Sequence, residues 1–230
     1  QVILDHTPFY GESGGQVGDQ GLLSGATEKN NQELLITIAG VNKTKNIFIH
    51  NGLIKKGKLS IGDSVNCRVD HISRRQAQAH HTSTHLLQAA LKQIVGPDIN
   101  QAGSLVDFDR LRFDFHAAGP VTPKQLEQIE ELINSWINKG STLETNQMSL
   151  EEAKEAGALA MFGEKYDDVV RVVNIPGISL ELCGGTHVKN ISDIGCLKIV
   201  SESSVAAGIR RIEAIAGPAI LSYLNERDKV

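Results

Sequence analysis

The stretch HHTSTHLLQAAL, residues His80 to Leu91, lies where a strand-like pattern gives way to a helical one. His81 and His85 are four residues apart, so a helix would place both imidazole rings on one face, one above the other. Two metal ligands on a helix have this spacing, but any two histidines can fall four residues apart. The pair alone leaves a metal site and a chance spacing open, and the rest of the chain must decide between them.

The chain has the composition of an ordinary globular protein, with 230 residues, 40% hydrophobic and 22% charged, and a formal net charge of −4. No apolar run approaches the roughly 20 residues that span a membrane. The start QVILDHTPFY has neither an initiator Met nor the pattern of a signal peptide, and three scattered cysteines favour a reducing compartment. We therefore expect a cytoplasmic protein without a membrane partner, cut from a longer chain. Because the net charge is negative, a nucleic acid would have to be bound by local basic patches.

The first block, residues 1–70, has the pattern of short strands. ELLITIAGV and NIFIHNG flank the polar NKTK, which predicts a hairpin. GDSVNCRVD alternates, so that Val65, Cys67 and Val69 share one face. Short strands separated by glycine-containing turns predict a small β-barrel-like or sandwich part.

The second block mixes helices and strands. A helix runs from about Asp70 to Val95, another begins after Thr122 with Gln125 closing a capping box, and a short third one begins at Ser149. RLRFDFH, VVRVVNI, ISLEL, GCLKIVS and GIRRIEAIA are strand-like. The predicted fold class is therefore α+β, with helices packed on a mainly antiparallel sheet in this block.

A second candidate ligand pair lies about a hundred residues after the first, in ELCGGTHV. Cys183 and His187 are again four residues apart, and the two glycines between them favour a turn over a helix. Such a turn can bring a thiolate and an imidazole to one point with His81 and His85, and zinc accepts nitrogen and sulfur ligands tetrahedrally. The four residues predict one Zn²⁺ site. The alternative is a buried, inert Cys183 and a satisfied surface histidine at 187.

A peptidase function is not predicted. A zincin carries a glutamate base directly after its first histidine, and Thr82 occupies that place here. His80 points about 100° away from His81 on a helix, so it is expected beside the ligands or in solvent.

Six segments of the chain resemble the successive signature blocks of one family. They are TPFYGESGGQVGDQG, HTSTHLLQAAL, QAGSLVDFDRLRFDF, MFGEKYDDVVRVV, ELCGGTHV and SESSVAAGIRRIEAIAG. In this order they resemble the editing domain of the alanyl-tRNA synthetase family, whose relatives are free-standing alanyl-tRNA editing proteins and the threonyl-tRNA synthetase editing region. The resemblance implies hydrolysis of the seryl ester, and also of the glycyl ester, on tRNA(Ala). His80 departs from the family pattern, which usually has Asn there.

The resemblance also implies boundaries and partners. Residues 1–70 would be the barrel-like N-terminal part, 71–217 the zinc-containing editing core, and 218–230 the start of a helical linker to the rest of a synthetase. The partners would be the acceptor end of tRNA(Ala) carrying a wrong amino acid and the remainder of the synthetase chain. That parent chain would be an ATP-binding alanine–tRNA ligase.

Three polar residues are candidates for the catalytic pocket: Thr7 and Gln16 from the glycine-rich first segment, and Gln101 from NQAGS. Hydrolysis of an aminoacyl ester needs a placed water and a stabilised oxyanion. A pocket that hydrogen-bonds the serine hydroxyl rejects alanine, because alanine leaves its polar groups unpaired. Without the resemblance, turn chemistry explains the first segment and a solvated loop explains Gln101.

The candidate tRNA-binding residues are the basic side chains nearest to the family segments. They are Arg74, Arg75, Arg112, Lys165, Arg210 and Arg211. A solvated surface charge is the alternative for each of them.

Two other functions stay open. A closed site with four protein ligands is typical of structural zinc, so the chain could be a tRNA-binding appendage without catalysis. A free-standing editing deacylase is the other alternative. Deacylation of seryl-tRNA by this chain distinguishes the first alternative from editing, and the length of the gene decides the second.

Overall fold

The computed structural model describes residues 1–26, 33–160 and 166–227. The chain forms two compact units, Gln1–Arg75 and Gln76–Val230. No helix in these described ranges has the length and apolar character needed to cross a membrane.

The first unit contains one antiparallel sheet of five strands, in the order β1-β4-β3-β2-β5. The strands are β1 (Val2–Ile3), β2 (Gly21–Ala26), β3 (Glu33–Thr44), β4 (Ile47–Lys56) and β5 (Asn66–Val69). In the described part of the chain β1 and β5 are the two edges and do not pair, so the sheet is open where a closed barrel would join them. The predicted hairpin is confirmed as β3 and β4, which pair up to Thr44 and Ile47.

The core of the first unit lies on one face of this sheet. Leu34, Ile36 and Ile38 of β3 are at most 2% exposed, which follows from the alternation of side chains along a strand. Cys67 and Val69 of β5 pack against the same cluster, so the predicted shared face is confirmed.

The glycines of the segment GESGGQVGD in the first unit allow backbone conformations and contacts that other residues would not. Gly14 and Gly15 have φ values of 56° and 80°, which favour glycine. At Gly18 a Cβ atom would lie 2.0 Å from the carbonyl oxygen of Val41. These glycines therefore allow a tight turn and a close backbone approach.

Among the described residues, the second unit contains two antiparallel sheets, most of the first α-helix and three further α-helices. The helices are α1 (His71–Ile94, which begins in the first unit), α2 (Pro123–Lys139), α3 (Leu150–Glu155) and α4 (Ala219–Arg227). The strands are β6 (Asn100–Val106), β7 (Leu111–His116), β8 (Glu144–Ser149), β9 (Val169–Ile175), β10 (Ser179–Leu182), β11 (Leu197–Ala206) and β12 (Ile209–Ala216). The sheet orders are β11-β12-β7-β6 and β10-β9-β8. The α+β class is confirmed, with two sheets in this unit where one was predicted.

Local signals set the helix ends as predicted. Thr122 and Gln125 form a capping box before α2, and Ser149 and Glu152 form another before α3. The carboxylate of Asp70 accepts hydrogen bonds from the first free N–H groups of α1.

The middle of α1 is buried on all sides. Every residue from Ala79 to Gln88 is buried, including three histidines, and Leu86 and Leu87 belong to the main core. A buried polar segment needs partners for its side chains. The partners of His81 and His85 come from the region of β10.

Candidate metal centre

Four side chains converge in the second unit. His81 and His85 lie on successive turns of α1, and Cys183 and His187 lie on the turn that follows β10. One ligand atom from each residue lies within 4.8 Å of all the others. The Sγ atom of Cys183 is 3.4 Å from Nε2 of His81 and 3.2 Å from Nε2 of His187. The two predicted pairs thus meet in one cluster that could hold a metal ion.

The distances in this cluster fit zinc. Zn–S bonds of about 2.3 Å and Zn–N bonds of about 2.0–2.1 Å in a tetrahedron separate sulfur and nitrogen by about 3.5 Å. The two distances from the Cys183 sulfur are close to that value. One thiolate and three imidazoles also form a donor set that suits zinc better than magnesium or calcium.

Arg171, on β9, holds the turn that carries Cys183. Its Nη1 donates to the carbonyl oxygens of Cys183 at 2.6 Å and of Gly185 at 2.9 Å. The backbone N–H of Cys183 donates in return to the carbonyl oxygen of Arg171 at 3.0 Å, and the N–H of Gly185 donates to the Cys183 sulfur at 3.4 Å. Arg171 was not predicted as a site residue from the sequence. The signal was present as a single cation inside the apolar strand VVRVVNI.

The outward-facing ring nitrogens of two histidines meet polar groups. Nδ1 of His187 lies 3.1 Å from Oγ1 of Thr82, which also accepts a hydrogen bond from the N–H of Val188 at 3.3 Å. Nδ1 of His85 lies 3.6 Å from Oε1 of Glu181. Metal-bound histidines commonly have such hydroxyl, carbonyl or carboxylate neighbours, which set the ring orientation.

The charges in the metal-free cluster are set by burial and by the four neighbours. Burial raises the pKa of the Cys183 thiol, but the nearby His81 charge and hydrogen bonds from the imidazoles lower it well below its usual value. Burial and the His81 charge lower the pKa of His187 to about 3, so this ring is neutral. Burial also opposes the charge on His85, yet Glu181 and Cys183 raise the pKa of His85 to about 9. A metal ion would therefore meet a thiolate and would displace a proton from His85.

His80 does not take part in the cluster. It is fully buried, and its Nδ1 lies 2.8 Å from the carbonyl oxygen of Asp107. Burial lowers the pKa of His80. His80 is therefore a buried histidine whose partner is a backbone carbonyl group outside the cluster.

A pocket of about 610 Å³ lies beside the cluster. It includes Glu181, the neighbour of His85, and also Gln101. Gln101 belongs to β6, whereas a solvated loop was one of the two interpretations of its segment from the sequence. Its Nε2 donates to Oγ of Ser104 at 3.2 Å. Gln101 and Glu181 thus line the same pocket, and Glu181 is also the neighbour of His85.

Thr7 and Gln16 belong to the first unit and are described within it. The Oγ1 atom of Thr7 lies 2.8 Å from Nε2 of His50 and accepts a hydrogen bond from the N–H of Phe9. Nδ1 of His50 lies 3.1 Å from the carbonyl oxygen of Val2, which makes this nitrogen the donor and Nε2 the acceptor for the Thr7 hydroxyl. Gln16 is fully buried. Thr7 and His50 are 43 residues apart, and no local pattern predicts that they are partners.

Two of the candidate tRNA-binding arginines neutralise buried carboxylates. Arg210 binds Glu202 through two hydrogen bonds of 2.6 and 2.7 Å, and Arg211 binds Asp114 through two of 2.7 and 2.8 Å. Arg112 is 3.6 Å from the same Asp114. The paired carboxylate side chains are 9% and 11% exposed. These arginines therefore have a structural partner already.

The remaining basic candidates differ from one another. Arg74 forms a paired contact with the buried carboxylate of Asp19 and also donates to the carbonyl oxygen of Pro8. Arg75 is exposed on α1. Lys165 lies outside the described residues, as does the start of its segment MFGEKYDDVVRVV.

Two family models match the chain. Residues 1–73 match "tRNA synthetases class II (A)", and residues 170–213 match "Threonyl and Alanyl tRNA synthetase second additional domain". The second match includes Cys183 and His187 of the cluster. Together the matches define a chain of the class II tRNA synthetase type.

The chain is also similar over its full length to several curated proteins named alanine–tRNA ligase. It is 65% identical over 230 residues to that of Prochlorococcus marinus (strain MIT 9313), covering 100% of this chain and 26% of the relative. It is 62% identical to that of Synechococcus sp. (strain CC9605) and 63% identical to that of Synechococcus sp. (strain RCC307), each over 100% of this chain and 25% of the relative. The chain thus spans about a quarter of the length of these relatives. It belongs to the alanyl-tRNA synthetase family.

Proposed function

We propose that this chain is the editing region of an alanine–tRNA ligase and hydrolyses the aminoacyl ester of tRNA(Ala) mischarged with serine or glycine. The observation that carries the proposal is the cluster of His81, His85, Cys183 and His187 beside a pocket that includes Glu181, Gln88 and Gln101. Full-length similarity to alanine–tRNA ligases supports it. The rest of such a ligase and the acceptor end of tRNA(Ala) are the proposed partners, and the cytoplasm is the proposed location.

The residues of the second unit have distinct tasks in this proposal. A zinc ion, if bound by the four residues of the cluster, would supply a positive charge that polarises the ester. Gln101 presents its side-chain amide to the water or to the ester oxygen, and Ser104 orients that amide by accepting one of its N–H groups. Because the ester is already activated, placing water and stabilising an oxyanion account for most of the required catalysis.

Thr7 and Gln16 are proposed to recognise the amino acid on the strength of the family resemblance. Since the Thr7 hydroxyl proton is directed to His50, the free lone pair of its oxygen can accept a hydrogen bond from a serine hydroxyl. Thr7→Val should then slow hydrolysis of the seryl ester while leaving the alanyl ester at its original rate. Thr7→Ser is the matched control that keeps the oxygen. Equal rates for all three proteins would remove Thr7 from the proposal.

Deacylation of seryl-tRNA(Ala) by this chain tests the proposal directly. The metal-loaded protein should release serine faster than alanine, and the metal-stripped protein should be inactive until zinc is restored. One zinc per chain is expected by elemental analysis. A protein that binds zinc but leaves seryl-tRNA intact would contradict the editing function.

A structural zinc site in a tRNA-binding appendage is the second candidate. Four protein ligands in the cluster favour it, because catalytic zinc usually keeps an open position. Cys183→Ala separates the two functions. Under the editing proposal this variant loses deacylation but keeps its secondary structure, because the second unit has an extensive apolar core. Unfolding of the variant would support the structural site.

A further inference from the structure

The pocket beside the four cluster residues, His81, His85, Cys183 and His187, has a carboxylate at one end. Glu181 is the only acidic residue among the described residues that line this pocket, and its side chain is 12% exposed. The hydroxyl of Ser179 donates to its Oε1 at 2.6 Å, and the same oxygen lies 3.6 Å from Nδ1 of His85. The carboxylate is therefore held next to the metal cluster and faces the pocket.

A lysine marks the other end of the same pocket. His85, Gln88 and Lys92 lie at i, i+3 and i+7 on α1 and so share one face of the helix. With a rise of 1.5 Å per residue, Gln88 lies about 4.5 Å and Lys92 about 10.5 Å from His85 along the helix axis. Both of the later residues line the pocket. No ion pair joins Lys92 to Glu181 in the part of the chain that the structure describes.

We propose that this pocket binds its substrate in one direction, with a primary ammonium group at Glu181 and a phosphate group at Lys92. The inference rests on the proposed editing function and names the substrate class more closely. An aminoacyl ester at the 3′ end of tRNA has an ammonium group on one side of the ester and the phosphate of its terminal nucleotide on the other. This order of charges matches the pocket.

The proposed direction places the reacting bond between the two charged ends. The side-chain amides of Gln88 and Gln101 line the pocket as well, and they offer hydrogen bonds to the ester and the ribose. Under this proposal the pocket recognises only esters that carry a free ammonium group. Esters with an acylated nitrogen, such as peptidyl-tRNA, lack that charge and are excluded, which protects growing chains from hydrolysis.

Replacing the carboxylate tests the ammonium end. Glu181→Gln keeps the size of the side chain and removes its charge, so kcat/KM for seryl-tRNA should fall about 10- to 100-fold. Glyceroyl-tRNA, the ester of glyceric acid, carries a hydroxyl in place of the ammonium group of serine, and its hydrolysis should change less than about threefold. Glu127→Gln, at an exposed carboxylate of α2, is the matched control and should match wild type on both esters.

Saturating zinc separates this role from a simpler one. Glu181 also lies beside His85, so its replacement is expected to weaken zinc binding whether or not it contacts the ammonium group. The seryl and glyceroyl esters are therefore compared at full zinc occupancy, checked by elemental analysis. An equal slowing of the two esters under these conditions overturns the ammonium assignment.

Replacing the lysine tests the phosphate end. Lys92→Met should raise KM about tenfold for seryl-tRNA and for glyceroyl-tRNA alike, and the difference from wild type should shrink at high salt. With 3′-O-seryl-adenosine, which has no phosphate, the variant and wild type should react at the same rate. Lys124→Met, at an exposed lysine of α2, is the control. A loss on the phosphate-free ester equal to the loss on tRNA overturns the Lys92 assignment.

The outcomes also distinguish this inference from the proposed function. If the wild-type protein does not hydrolyse seryl-tRNA, the editing function itself is contradicted. If it does, and Glu181→Gln behaves as wild type on every ester, the editing function stands and the direction of binding is wrong.

Discussion

The hydroxyl oxygen of Thr82 lies 3.1 Å from Nδ1 of His187. The residue that follows one histidine of the cluster thus holds the ring of another, which is 105 positions further along the chain. Thr82 is fully buried, so water cannot replace its oxygen. In place of the glutamate base of a zincin, this chain has a residue that orients a histidine of the cluster.

Thr82→Val should weaken zinc binding about tenfold, because Nδ1 of His187 loses its partner. Valine has nearly the same shape as threonine, so the packing of α1 should be preserved. Thr82→Ser keeps the oxygen and should retain wild-type affinity. Chelator competition measures both variants, and equal affinity of the valine and serine variants would show that the contact has no effect on the metal.

Arg171→Met should also weaken zinc binding, because the carbonyl oxygens of Cys183 and Gly185 lose their shared donor. Buried carbonyl groups left without a donor cost about 1–3 kcal/mol, and the turn that carries two ligands becomes less ordered. Zinc affinity should fall about tenfold or more, with a lower melting temperature for the metal-free protein. Arg75→Met, at an exposed arginine of α1, should change neither quantity.

Gln101→Leu should slow hydrolysis of seryl and alanyl esters by similar factors, because the amide acts on the water or the ester that both substrates share. Loss of one buried hydrogen-bonding group costs about 1–3 kcal/mol, which corresponds to roughly a 5- to 150-fold loss in kcat/KM. Ser104→Ala leaves the amide in place and should have a smaller effect. Single-turnover deacylation gives both factors, and a wild-type rate for Gln101→Leu would remove it from catalysis.

The buried His50 should make stability depend on pH. Burial lowers its pKa below the ordinary value near 6.5, although the hydrogen bond to Val2 opposes this. The unfolded chain therefore binds the proton more readily, and the contribution to stability that is present above pH 6.5 is lost as pH falls below it. For one titrating group, the free energy of unfolding cannot change by more than about 1.4 kcal/mol per pH unit.

His50→Gln provides the comparison for this pH effect. Between pH 7.5 and 5 the free energy of unfolding should fall more steeply for wild type than for the variant. Both proteins contain the cluster histidines and His80, so the difference between the two slopes reports His50 alone. Parallel slopes would mean that His50 titrates in the same way in the folded and unfolded chains.

Local sequence signals were sufficient for much of this fold. The capping boxes at Thr122 and Ser149 involve residues three apart, and the alternation at Val65 to Val69 marks a half-buried strand, so both could be read from short windows. β8 was not predicted because ETNQMS is largely polar, and β6 was not predicted because NQAGSLV has no clear apolar alternation.

The candidate site was predictable only where chemistry itself is distinctive. Two pairs of ligand-type residues stand out in any sequence, and the structure brings them together. Arg171 and Glu181 are ordinary charged residues until the fold places them at the cluster. Likewise, Asp114, which pairs with Arg211, lies 97 positions away in the chain, so the pair cannot be predicted from the sequence around either residue.

The cluster of His81, His85, Cys183 and His187 joins two points of the chain, His81 and Cys183, that are 102 residues apart. An ion bound there would act as a reversible cross-link that closes a loop of about a hundred residues. A covalent link closing such a loop restricts the unfolded chain by about 4–5 kcal/mol, which is an upper limit for a metal link that can dissociate. Release of the ion would therefore free the segment from β6 to β10 to open more often, and cleavage by a protease within that segment would become faster before the core of the unit was lost.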